Sequence, residues 1–90
     1  MSYQMTFENT LDEDVTLQIN EGNHNCQNNP TVWTGQVVSG GSKVYLTDAV
    51  EVCYRRTADP SNPGNGLWTV WVGFSPNDIN TPVEIDLGLL

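Results

Sequence analysis

Three segments of the chain alternate apolar and polar residues with a period of two. In YQMTFEN (3–9), Tyr3, Met5 and Phe7 fall on one side and Gln4, Thr6 and Glu8 on the other. In VTLQINE (15–21), Val15, Leu17 and Ile19 alternate with Thr16, Gln18 and Asn20, and in PVEIDL (82–87), Val83, Ile85 and Leu87 alternate with Glu84 and Asp86. Successive side chains of a strand point to opposite faces, so each segment describes a half-buried β-strand. None carries the three-and-four spacing of an amphipathic helix. Four further strands are expected at TVWTGQVV (31–38), KVYLT (43–47), VEVCYR (50–55) and LWTVWVGF (67–74). The last is apolar on both faces, as in a central strand.

Turn-forming residues separate these runs: SGGS at 39–42, a Pro- and Gly-rich stretch from Pro60 to Gly66, and SPNDINT at 75–81. Seven short strands with turns between them predict an all-β fold, a small antiparallel β-sandwich forming a single domain over residues 1–90. The alternation also assigns an inward face: Met5, Phe7, Val15, Leu17, Ile19, Val50, Val52, Val83 and Ile85. Immunoglobulin spacing does not hold, because Trp33 follows Cys26 by only seven residues. The strand–turn pattern is similar to that of compact β-sandwich lectins and aegerolysin-type proteins, but no diagnostic motif assigns a family.

Composition narrows the classes of function. Eleven acidic residues against three basic ones give a net charge of -8. Phosphate neutralisation needs clustered Lys and Arg, so neither nucleic acid nor an anionic membrane surface is an expected partner. No apolar run is long enough for a membrane span. The N-terminal residues do not resemble a signal peptide, which predicts a cytoplasmic chain or else a secreted mature form. Two cysteines, Cys26 and Cys53, permit one bridge. A disulfide-dependent scaffold of this size usually carries more, so free thiols are expected.

Arg55 and Arg56 are two of the three cations. On a strand they face opposite sides, and Arg56 continues the inward face of Val50, Val52 and Tyr54. There it needs a carboxylate, with Asp59 nearest in sequence, or main-chain carbonyls within 57–66. Arg55 shares a face with Glu51 and Cys53 and is expected in water beside Glu51. A structural role for both is favoured over a shared anion clamp, although both stay among the candidate ligand-binding residues.

Candidate metal ligands are few. His24, the sole histidine, precedes Cys26 by two residues, but imidazole and thiolate need further donors to hold zinc or copper. The segment NDINTP (77–82) resembles the calcium motif of βγ-crystallins and offers Asn77 and Asp78. The motif's final serine is replaced by Pro82, and no second copy exists. No metal and no cofactor is therefore expected. No glycine-rich phosphate loop occurs, and His24 with a cysteine is the only nucleophile–base pair, so the chain reads as non-catalytic.

Aromatic residues carry the best case for binding. Trp33, Trp68 and Trp71 are many for so thin a core, and Trp68 and Trp71 are expected on opposite faces of one strand. An exposed tryptophan beside Asn-rich loops can stack a sugar ring or anchor a protein partner. The chain is thus expected to be a small binding or interaction module for a carbohydrate or protein ligand. The alternatives are a calcium- or transition-metal-binding β-domain, or an acidic structural or inhibitory protein that binds a protein partner.

Overall fold

A computed structural model describes residues 3–75 and 82–90. Seven strands run in chain order as β1 (Tyr3–Glu8), β2 (Val15–Gly22), β3 (Thr31–Val37), β4 (Ser42–Thr47), β5 (Glu51–Arg56), β6 (Val72–Phe74) and β7 (Val83–Asp86). They form two sheets, ordered β4-β1-β7 and β3-β2-β5-β6, whose inner faces share one hydrophobic core. This is the expected all-β sandwich. Pairing is antiparallel except between β1 and β7, which run parallel with Phe7 beside Ile85. The SGGS turn carries the chain from β3 in one sheet to β4 in the other, with Gly40 at positive φ. A side chain there would be strained.

Alternation places the core as expected for Met5, Phe7, Val15, Leu17, Ile19, Val52 and Ile85, all buried, with Val83 partly buried. Tyr54 meets Phe7 edge-to-face across the sheets, with ring centroids 5.1 Å apart. Val50 departs from the expectation. It lies in the β4–β5 connection, one residue before β5 begins, and is 59% exposed. Outside a ladder, the parity of a strand no longer dictates where a side chain points.

Two charged residues face inward from the four-stranded sheet, one towards each end. Glu21 on β2 accepts hydrogen bonds from the Tyr45 hydroxyl at 2.8 Å and from the Thr47 hydroxyl, both on β4 of the other sheet. Arg56 on β5 is buried as its strand parity predicts. Its partner is not Asp59. Nε donates to the Leu87 carbonyl at 2.6 Å, Nη1 to the Thr57 carbonyl at 2.7 Å and Nη2 to the Leu90 main-chain oxygen at 3.0 Å. Two of these acceptors follow β7, so the guanidinium joins the sheets, while Asp59 accepts from Ser61 in its own turn. Among the described residues no buried side-chain nitrogen or oxygen lacks a partner.

Buried asparagines organise the turns. Asn9 donates to the carbonyls of Glu13 and Val37 and accepts from the Leu11 N–H. Asn29 bridges both main-chain groups of His24. Asn20 donates to the Cys26 carbonyl at 2.9 Å and also pairs in register with Cys53. These two roles bring the cysteines together, and they form a disulfide with Cα atoms 5.5 Å apart. The expectation of free thiols is therefore wrong. Loop closure across a separation of 27 residues stabilises the fold by about 3–4 kcal/mol in a chain-entropy estimate.

Arg56→Lys should lower stability by about 1–3 kcal/mol, because one ammonium cannot satisfy three fixed acceptors. Asp59→Ala should change it by no more than about 0.5 kcal/mol. Urea unfolding of both variants measures this, and equal losses would contradict the assignment.

The tyrosines give a pH test. Burial raises the pKa of Tyr3, Tyr45 and Tyr54, and the Glu21 carboxylate raises Tyr45 further. The unfolded chain releases these protons near pH 10, whereas the folded chain retains them. Stability is thus fully present below about pH 10 and falls as pH rises above it. Alkaline melting curves should show that fall, with a shallower slope for Tyr45→Phe.

Candidate functional site

The outer face of the four-stranded sheet carries a site assembled around Arg55. Parity turns Arg55 away from the core, where its Nε donates to Gln18 Oε1 on β2 at 2.7 Å. Its guanidinium lies between two indoles, 4.5 Å from the Trp68 ring centroid and 4.4 Å from that of Trp71. Such a cation–π sandwich combines electrostatic attraction with dispersion on both sides of a flat cation. Burial lowers the pKa of Arg55, as it does that of Arg56. A guanidinium nevertheless stays charged at neutral pH. Arg55 is therefore not standing in water beside Glu51. Among the described residues its terminal Nη groups donate to no protein acceptor.

How two tryptophans reach one face is a matter of register. Tyr54 pairs with Val72, so a regular antiparallel ladder would set Thr57 opposite Thr69. The bridge instead joins Thr57 to Trp68, one residue out of step. The intervening bulge is satisfied locally: the Arg56 N–H donates to the Thr69 hydroxyl and the Arg56 carbonyl accepts from the Thr69 N–H. An extra residue on one strand reverses the parity of what precedes it. Trp68 and Trp71 consequently flank the same side chain, where an unbroken strand over 67–74 would have put them on opposite faces. The regular part of that segment is only Val72–Phe74.

Exposed apolar side chains lie in the same segment. Leu67 is 58% and Val70 82% exposed, and both tryptophans are half-buried. The stretch LWTVW thus carries two exposed apolar residues, Leu67 and Val70, and the two indoles that hold Arg55. Surfaces of this composition, rich in Trp and Arg, concentrate binding energy in protein interfaces.

Trp33 belongs elsewhere. It faces the inter-sheet side at the β3 edge, with its ring across Gly35, where a Cβ would stand 2.5 Å from Trp33 Cζ2. Lys43 of the opposite sheet lies over the ring at 4.6 Å. This pair covers the open side of the sandwich between β3 and β4. Arg56 also stands apart from the Arg55 cluster, buried on the opposite face of β5.

His24 is exposed on the loop after β2, and no close group of potential metal donors among the described residues includes it. One such group exists, Cys26, Glu51 and Cys53, and its two sulfurs are bonded to each other. Asn77 and Asp78 lie outside the described residues. Asn20 on β2 and Asn29 in the following loop spend their amides on Cys26, Thr31 and His24, while Asn23, Asn25 and Asn28 of that loop are exposed. No model of a protein family, no curated protein and no solved structure matches this chain.

A double-mutant cycle tests the sandwich. Arg55→Met and Trp71→Ala, alone and combined, should show a favourable coupling of about 0.5–2 kcal/mol in urea unfolding. Additive losses would mean that the stack contributes nothing beyond its separate contacts.

Proposed function

We propose that this protein is a non-catalytic module that binds a protein partner through Trp68, Arg55 and Trp71 with the flanking Leu67 and Val70. The observation that carries the reading is a guanidinium held between two indoles on an outward face, beside strongly exposed apolar side chains. Association loses affinity when long side chains must be ordered on binding. Here the arginine is already ordered by its two indoles and by Gln18, while its Nη groups remain available to a carbonyl or carboxylate of the partner. Leu67 and Val70 add apolar area around that polar centre.

A carbohydrate ligand is less well supported by the same geometry. Sugar stacking needs an open indole face, and one face of each tryptophan is taken by Arg55. An acidic net charge argues against nucleic acid as the ligand. Among the described residues no helix is long and apolar enough to cross a membrane. The disulfide favours an oxidising compartment, hence the secreted mature form over the cytoplasmic one.

Affinity capture with the wild-type protein, Val70→Glu and Arg55→Met, run alongside an oligosaccharide array, tests the reading. A partner held by wild type should be lost by both variants, by Val70→Glu at unchanged melting temperature and by Arg55→Met with the strand spectrum of the folded chain retained. Retention by both variants, or array binding that depends on Trp68, would refute the protein-binding assignment.

A further inference from the structure

The geometry points to a redox-gated metal site at Cys26, Glu51 and Cys53, one that takes a single Zn2+ when the disulfide is reduced. Glu51 and Cys53 are two residues apart on β5 and therefore share its outer face. Cys26 approaches from the short turn Cys26–Asn28. Glu51 Oε1 stands 3.2 Å from Cys53 Sγ and 3.7 Å from Cys26 Sγ. Bonded sulfurs have no proton to donate, so this carboxylate oxygen faces two soft atoms and, among the described residues, has no donor. Two thiols or a cation are what would complete the arrangement.

The spacing and the access both suit a metal. The three potential ligand atoms lie within 4.8 Å of one another. Thiolates and a carboxylate are ordinary zinc ligands, and two sulfurs on one tetrahedral zinc sit about 3.7 Å apart. Opening the bridge to that separation asks only for a small shift of the Cys26 turn, whose flanking Asn25 and Gln27 are exposed. Gly73 pairs with Cys53 across the β5–β6 ladder. A Cβ there would lie 3.5 Å from Cys26 Sγ, 3.6 Å from Glu51 Oε1 and 3.9 Å from Cys53 Sγ. Cys53 is fully buried and Cys26 and Glu51 half-buried, so water as the fourth ligand would approach past the exposed Gly73, where a larger side chain would roof the cluster.

Electrostatics supplies the gate. In the oxidised chain the sulfurs carry no charge and hold no metal. Reduction by a phosphine consumes one water, gives the phosphine oxide and leaves two thiols. A dithiol reductant does the same by becoming a disulfide. Ionising both thiols beside the Glu51 carboxylate gathers three negative charges, which is unfavourable unless a divalent cation compensates. Zinc binding therefore displaces two protons and holds the sulfurs apart against reoxidation. The site is distinct from the Arg55 surface and does not rest on its function.

The test uses the full chain, reduced with a phosphine and freed of excess reagent without oxygen, with Co2+ as the spectroscopic probe. The reduced protein should bind one Co2+ per chain with tetrahedral d–d bands and a thiolate-to-cobalt charge-transfer band. Zn2+ should displace it, and the oxidised protein should give neither signal. Glu51→Gln should weaken binding by at least about tenfold, and Cys26→Ser should abolish the charge-transfer spectrum of the wild type. A Glu51→Gln affinity equal to wild type, or an unchanged spectrum in Cys26→Ser, would overturn the proposal. Circular dichroism covers the case in which reduction unfolds the chain: zinc must then restore the strand spectrum, and a reduced chain still unfolded at saturating zinc refutes the site.

Discussion

A guanidinium pointing into a thin hydrophobic core must find acceptors there or the sandwich cannot close. Arg56 meets that requirement with three main-chain oxygens, and their positions decide much of the architecture. Thr57 is adjacent, but Leu87 and Leu90 come from the far end of the chain, beyond a strand of the other sheet. A charged hydrogen bond in a dry site is strong, and an unmet one is expensive. The segment after β7 is therefore fixed where it is as much by Arg56 as by burial of Leu87. At the opposite end Glu21 plays the complementary part, accepting from two hydroxyls of β4. The two sheets are thus pinned at both ends by polar contacts, with the apolar side chains between them.

The adjacent arginines divide one chemistry between two environments. Arg56 is enclosed and uses all three of its nitrogens on the protein's own backbone. Arg55, one residue earlier, emerges on the other face, where the described residues engage only its Nε and its two flat sides. An arginine immobilised in this way loses little freedom on meeting an acceptor. That difference gives the outer face its interest as a recognition surface and makes the inner one purely structural.

Much of the scaffold was legible in the sequence, because alternation in YQMTFEN, VTLQINE and PVEIDL depends only on which residues are apolar. The inward orientation of Arg56 followed from the same parity. Its partners did not, since Leu87 and Leu90 become neighbours only through the parallel β1–β7 pairing, which no local pattern encodes. The disulfide was misread for a similar reason: two cysteines carry no record of the register that sets Asn20 against Cys53. Trp68 and Trp71 stood out as candidate ligand residues, but their common face depends on one bulge residue, stabilised by the Thr69 hydroxyl. Val50 failed by a single position, at a strand boundary.

The β1–β7 pair also sets the order in which the molecule can be completed. Its strands come from opposite ends of the described chain, so the first strand has a free edge throughout synthesis until residues 83–90 emerge. Until then Arg56 lacks two of its three acceptors, and Phe7 lacks Ile85 at its side. The first six strands cannot settle into the final sandwich before the seventh emerges. Nascent chains of this protein therefore present an unpaired β1 edge, the kind of surface that chaperones cover and that aggregation exploits.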